Sequence, residues 1–318
     1  MSSGAWWIVR SALKYGSPLL APFERKAVAR LGKTEPEHPC IFILGPPRSG
    51  STIVYQLITS LLEVAYVDNL ANMARYQPVT GMELSKRFFG DKAHRNFESN
   101  YGTTREGGLH APAEALYFYK WFPKDRHHTE VADLTETQLD QFRSTTFAMI
   151  RKMQKPLVIK NLSFSVRLPV LREALPSARY IVVRRDPFFT AQSILQGMRD
   201  HRVPMDRVWS ILPKGFESLQ GLPPEEIVVR QVHMIENQMA EELEKMGKDQ
   251  YLILDYETLS DSLEENLQAV MNLCSPSLKR RVGDLPSVQT QNRNRIDEKE
   301  GEPMRTLIHS LTWKLQHL

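Results

Sequence analysis

The chain has 318 residues, 42% hydrophobic and 25% charged, ordinary values for a globular protein that can build a core without covalent staples. Its net charge of +4 and pI of about 8.9 fit an anionic ligand, but the basic residues are scattered rather than gathered in a stripe, which argues against nucleic acid as partner. Two cysteines, Cys40 and Cys274, exclude a disulfide framework, and no apolar run approaches the ~18 residues of a membrane span.

The N-terminal apolar run around Trp6 and Trp7 is too short and too interrupted for a signal peptide. It is expected to dock on the domain, with peripheral membrane contact as the alternative. Residues 33–39 read as a linker. The run Cys-Ile-Phe-Ile-Leu at 40–44 reads as a buried strand, followed by Gly45-Pro46-Pro47-Arg48-Ser49-Gly50-Ser51-Thr52 and a helical pattern over 52–62. Further strands are expected at 63–67, 157–160, 179–183 and 251–255. Helical patterns cover 134–153, 166–174, 187–198, 224–246, 263–273 and 304–315. The segment 68–130 is less regular, with a loop expected over 96–110 and another over 284–303. Strands alternating with helices predict an α/β protein, a three-layer α/β/α arrangement around a central parallel sheet with helical and loop insertions. One domain is expected, with an extension and linker (1–39), a core (40–275) and a C-terminal loop and helix (276–318). Without an anchor or leader the protein is expected to be soluble and cytoplasmic.

Strand, glycine loop, helix is the setting of a phosphate-binding P-loop, and Gly45 to Thr52 follows the G-x-x-x-x-G-K-[ST] spacing with Ser51 in the lysine position. In a nucleoside triphosphatase that lysine reaches the β- and γ-phosphates, so its loss argues against phosphoryl transfer from ATP. Arg48 offers a planar donor fork instead. Backbone N–H groups of Ser49 to Thr52 at a helix N-terminus still make an anion site. A second motif follows the strand at 179–183. Arg185 stands at its carboxyl end, Asp186 and Pro187 open a helix, and Ser193 lies two turns along it. Arginine and hydroxyl can both face the crevice where α/β sheets bind ligands, giving a second anion site. A nucleoside carrying phosphates at two positions would satisfy both.

Here the chain resembles the sulfotransferases. Pro47-Arg48-Ser49-Gly50-Ser51-Thr52 is similar to that family's 5′-phosphosulfate loop, and Arg185-Asp186-Pro187 with Ser193 to its 3′-phosphate motif. Residues 157–160, ending in Lys160, resemble the family's lysine-terminated strand; 175–181 and 255–259 resemble two further segments, all in the expected order. The resemblance implies a P-loop-type fold and transfer of a sulfuryl group from 3′-phosphoadenylyl sulfate (PAPS) to a hydroxyl or amine of a small molecule, glycan or lipid, releasing adenosine 3′,5′-bisphosphate. It implies no metal. The donor contacts would be Pro47, Arg48, Ser49, Gly50, Ser51, Thr52, Arg185 and Ser193. Arg48 would stabilise the leaving phosphate and Lys160 would contact the donor or the transferring group. The family's glycine-rich basic closing motif has no full counterpart, and Arg293 or Arg295 stands roughly in its place.

For the base that takes the acceptor's proton, Gly107 to Glu114 reads as a glycine loop entering a helix, with Pro112 in its first turn. By resemblance Glu114 is the first candidate and His110 its rival. A first-turn glutamate can also serve only the helix dipole, and a histidine there can be a cap. Asp255 would be a magnesium ligand in a kinase and a structural strand end in a sulfotransferase. His127, His128, His201 and His233 have no partners at metal-ligand spacing. Tyr76, Phe88, Phe89, Tyr117, Tyr119, Trp121 and Trp209 are the aromatics available to an acceptor pocket. Two alternatives stay open: a P-loop kinase with an atypical loop, and a non-catalytic nucleotide-binding protein of the same fold.

Overall fold

The computed structural model describes residues 17–74, 76–99, 101–274, 278–283, 286 and 290–318. Trp6 and Trp7, and with them the expected docking of the N-terminus, lie outside the described residues. Five parallel strands form one sheet: β1 (Cys40–Leu44), β2 (Ala65–Tyr66), β3 (Leu157–Lys160), β4 (Arg179–Arg184) and β5 (Tyr251–Asp255), in the order β2-β3-β1-β4-β5. Central β1 pairs on both sides, Ile41 standing beside Val158 of β3 and Arg179 of β4.

All five residues of β1 are buried because both faces of the sheet are covered. Phe42 and Leu44 point to one apolar cluster, with helices at Glu136–Met153, Leu168–Ala174 and Pro224–Leu243. Ile41 and Ile43 point to the other, with helices at Ser51–Leu61 and Leu263–Cys274. This is the expected three-layer α/β/α arrangement. A third cluster joins the helices Pro187–Asp200 and Pro224–Leu243 to the C-terminal helix Glu298–Ser310 through Phe188, Ile194, Val228, Met304 and Trp313.

Several boundaries differ from the sequence reading, each for a local reason. The helix expected from 134 starts at Glu136, because Thr135 and Gln138 form a capping box. The one expected at 166–174 is a 3-10 turn, Leu162–Val166, followed by a helix from Leu168 with Pro169 in its first turn. The C-terminal helix, expected at 304–315, spans Glu298–Ser310: Asp297 caps it by accepting from Glu300 N–H at 3.0 Å, so the end of the loop expected over 284–303 is helical. Three helices were not legible at all: Ala21–Leu31, Asn69–Met73 and Pro78–Phe89.

Candidate active site

Gly45, Lys160, Arg185 and Tyr256 follow or end β1, β3, β4 and β5, so the carboxyl edge of the sheet brings them together. Lys160, Arg185 and Tyr256 line a cavity of about 890 Å³ together with Pro47, Arg48 and Gly50 to Thr52 of the loop that Gly45 begins. The loop after β1 is held by reciprocal bonds: Gly45 N–H donates to Ser165 Oγ at 2.9 Å, and the Ser165 hydroxyl returns a bond to the Gly45 carbonyl at 3.0 Å. Gly50 has φ of 94°, and a Cβ there would lie 2.3 Å from the Tyr256 ring, so glycine is needed for both conformation and space. No side chain caps the helix Ser51–Leu61, which leaves its first N–H groups available to an anion. Buried Ser49 Oγ has no hydrogen-bond partner.

Arg48 takes a left-handed conformation, φ 70°, and reaches across the cleft. Its Nε donates to Ser193 Oγ at 3.0 Å, and its guanidinium lies 4.8 Å from the centre of the Tyr101 ring. Arg185 donates to the Arg48 carbonyl at 3.0 Å, the Gln291 carbonyl at 2.7 Å and Asn292 Oδ1 at 2.9 Å, and sits over the Tyr256 ring. The two expected anion sites are thus joined, since Arg48 links the loop to Ser193 on the next helix. Burial pushes both guanidinium groups below their ordinary pKa, and the nearby Arg295 lowers each further. Three arginines gathered around one cavity favour an anionic occupant.

Lys160 is 2% exposed and its Nζ lies 2.5 Å from Glu114 Oε1, whose side chain is 36% exposed. Both line the cavity with Thr52, and a Cβ on Gly102 would stand 3.5 Å from both Lys160 Nζ and Thr52 Oγ1. Glu114 is not one turn inside a helix. Pro112 pairs with Asp68 in an isolated bridge, and the Ala113 N–H donates to the Val67 carbonyl, so the segment is extended until the 3-10 turn Leu116–Lys120. The helix-dipole role for Glu114 therefore falls away.

His110 is not brought to the cleft. Its Nδ1 lies 2.9 Å from Asp68 Oδ2 and its Nε2 2.8 Å from the Lys92 carbonyl, and its ring stacks on Phe89. It lines a separate small cavity with Tyr66 and Ser85. Arg293 also stays outside: its side chain is exposed, and its carbonyl accepts from Gln192 Nε2 at 2.9 Å. Arg295 does line the cavity, its N–H donating to Gln192 Oε1 at 2.8 Å. Gln192 thus clamps the returning segment 293–295, a role with no sequence signal. Asp255 binds Arg184 through both oxygens at 2.6 and 3.0 Å, which occupies it structurally. Asp186 caps its helix, accepting from Phe188 N–H at 2.8 Å.

The opposite wall is irregular backbone. Phe97, Glu98, Ser99 and Tyr101 line it, joined by Trp209 and Ser210, with Phe189, Leu162 and Gln196 between. The Tyr101 hydroxyl donates to the Asp200 carboxylate. A Cβ on Gly197 would lie 2.4 Å from the Trp209 ring, so that glycine seats the indole. Of the seven aromatics flagged in the sequence only Trp209 lines the cavity; Tyr117 and Trp121 are core, Tyr76 and Phe88 are exposed. Tyr101 and Phe97 lay in a segment whose Gly, Asn and Thr content spoke only of a loop. Among the described residues no group of three or more His, Cys, Asp or Glu could hold a metal ion, and no helix is long and apolar enough to cross a membrane.

Known proteins are similar to this chain in sequence. The curated relatives it matches include the omega-hydroxy-beta-dihydromenaquinone-9 sulfotransferase Stf3 of Mycobacterium bovis and of Mycobacterium tuberculosis. Each is 23% identical over 191 residues, covering 52% of this chain and 47% of the relative. The chain thus spans about half the length of those relatives. Among solved structures, sulfotransferase STF9 from Mycobacterium avium is 14% identical with a TM-score of 0.45, over 86% of this chain and 69% of that one. A sulfotransferase from Alicyclobacillus acidocaldarius is 14% identical with a TM-score of 0.48, over 89% and 96%. The model of the Sulfotransferase family matches residues 39–277, from the strand before the loop to the end of the helix after β5. With that match running through the loop, Lys160 and the Arg185 motif, the chain belongs to the sulfotransferase family.

Proposed function

We propose that the protein moves a sulfuryl group from PAPS to a hydroxyl, or an amine, of a small molecule, glycan or lipid, releasing adenosine 3′,5′-bisphosphate. The observation that carries this reading is the meeting of Arg48, Lys160, Glu114, Arg185 and Ser193 around one cavity at the carboxyl edge of the sheet. The loop Pro47 to Thr52, with its uncapped helix start and the glycine cradle at Gly50, suits the 5′-phosphosulfate. Arg185, Ser193 and Arg295 suit the 3′-phosphate.

In the reaction we assign, Glu114 takes the proton of the acceptor hydroxyl as its oxygen attacks sulfur. The sulfur–oxygen bond to the 5′-phosphate breaks, and the charge that develops on that phosphate is taken up by Arg48, Lys160 and the loop N–H groups. The Lys160–Glu114 pair holds base and cation within one hydrogen bond of each other, which fixes both before the substrates arrive. The named activity of the mycobacterial relatives, on omega-hydroxy-beta-dihydromenaquinone-9, and the apolar side chains Phe97, Leu162, Phe189 and Trp209 in the cavity lining favour an apolar hydroxyl-bearing acceptor here. Two buried, unpaired cysteines accord with a cytoplasmic site of action. The kinase alternative needs Asp255 for magnesium, and that carboxylate is committed to Arg184.

Calorimetric titration tests the donor. Wild type should bind adenosine 3′,5′-bisphosphate without metal and discriminate against ATP with Mg²⁺. Arg185→Ala should weaken the bisphosphate by roughly 100-fold, as expected for loss of a part-buried charge-assisted contact. Equal binding of ATP, with no preference for the 3′-phosphate, removes the assignment.

A further inference from the structure

The helix Ala21–Leu31 is bound to the body by one face and carries an unusual other face. Ala27, Val28 and Leu31 pack on the main core. Its buried Glu24 caps the helix Pro78–Phe89, accepting from the N–H groups of Val79 at 3.1 Å and Thr80 at 2.9 Å and from the Thr80 hydroxyl at 2.8 Å. These bonds fix the roll of the helix. Phe23, next to Glu24, is therefore held outward, 68% exposed, and Leu19, one turn before it, is 78% exposed. On the same helix and just past its end stand Arg25, Lys26, Arg30 and Lys33, all exposed and none with an ion-pair partner among the described residues; Lys26 and Arg30 share the side of Phe23 at helical spacing. Glu24, spent on the cap, is the sole acidic residue between Met1 and Thr34, and the same stretch also contains Arg10, Lys14, Trp6 and Trp7.

We propose that this face docks the protein on an anionic lipid bilayer. Two exposed apolar side chains beside unpaired cations on one helix match the interfacial region of a membrane, where side chains such as leucine and phenylalanine enter the acyl boundary and lysine and arginine meet the headgroups. Charge selects this occupant over a second copy of the chain. A two-fold contact through this face would set eight unpaired cations, four from each copy, against one another. Nucleic acid would use the cations but leave Leu19 and Phe23 unaccounted for. The docking is independent of the donor site.

Vesicle flotation of the full chain tests it. Wild type should float with vesicles of phosphatidylglycerol and phosphatidylcholine, at least tenfold more than with phosphatidylcholine alone, and detach at about 0.5 M salt. Arg25→Glu/Lys26→Glu/Arg30→Glu should cut partition by a factor on the order of 100, from the loss of three surface cations. Leu19→Ser/Phe23→Ser should cut it by about tenfold or more. Both variants should bind the bisphosphate as wild type does, which shows that they fold. The salt response of wild type reads the same contact without any substitution. Absence of flotation on anionic vesicles, or flotation that the variants leave unchanged, overturns the proposal. So does a concentration-dependent dimer that the variants abolish while vesicles go unbound, which would give the face to a second copy.

Discussion

The wall of the cleft that carries Lys160, Arg185 and the loop from Gly45 hangs directly from β3, β4 and β1, while the facing wall, with Phe97, Tyr101 and Trp209, hangs from loops. On the first wall each side chain has its place set by a buried strand: Arg185 follows β4, whose residues Tyr180 to Val183 are fully covered. On the second wall position comes from side-chain contacts between loops and the helix Pro187–Asp200, such as Tyr101 on Arg48 and Asp200 and Trp209 on Gly197 and His201. Such contacts open at low free-energy cost, whereas moving a central strand requires opening the core. In the proposed reaction the chemistry that every substrate shares falls to the rigid wall, and discrimination among acceptors to the adaptable one.

The strongest way to break this division is to substitute Glu114, the proposed base. Glu114 projects from the extended segment between the walls and bonds Lys160 of the rigid one. Glu114→Gln should lower kcat by about 10²–10⁴-fold, the range for losing a general base. It should leave bisphosphate affinity within about threefold, because the amide keeps an oxygen for Lys160. Rates measured under acceptor saturation, beside calorimetry on the same preparation, read both quantities. A variant with wild-type kcat removes Glu114 from the chemistry. His110, its rival in the sequence, should not replace it, since its ring nitrogens are directed to Asp68 and the Lys92 carbonyl.

Legibility in the sequence divided along the same line. The ranges of β1, β3 and β5 could be read residue for residue from apolar runs, and the P-loop from its spacing, because periodicity and glycine placement are local signals. Arg48, Lys160 and Arg185 were legible because they stand in the loop after β1, at the end of β3 and just after β4. Tyr101, Gln192 and Trp209's seat on Gly197 were not, because their roles arise from contacts between segments far apart in the chain. Glu114 shows both sides: residue type and resemblance picked it out, yet its backbone was misjudged, since the bridge from Pro112 to Asp68 is non-local and overrides the helix-starting tendency of proline. Arg293 was misplaced for a related reason, as position in the sequence does not tell which of two nearby arginines lines the cleft.

A second test sharpens the adaptable wall alone. Gly197→Ala places a methyl 2.4 Å from the present position of the Trp209 ring, so the indole must move. The expected result is an acceptor KM raised about tenfold with bisphosphate affinity unchanged, the signature of lost acceptor binding without lost chemistry. An equal loss of donor affinity would mean that the two walls are coupled and that the division drawn here is wrong.

The smallest effect tests how rigid the strand-built wall is underneath. Glu236, in the helix Pro224–Leu243, is fully buried with no partner for its Oε1, and burial raises its pKa to about 8 against a partial lowering by Arg184. In the folded protein the group keeps its proton up to about pH 8, whereas in the unfolded chain it releases it near the ordinary glutamate value of about 4.3. Between those values the folded state binds more protons, so this group's contribution to stability falls as pH rises, and it levels off above pH 8. Glutamine cannot ionise and nearly matches the neutral carboxyl in shape. Glu236→Gln should therefore melt close to wild type at pH 4.5, and the gap should widen to a few degrees in favour of the variant by pH 9. Parallel melting curves across that range would show that the carboxylate finds compensation, with Arg184 turning from Asp255 toward it. The seat of Arg185, one residue along, would then be adjustable, and the wall would be less fixed than its strands imply.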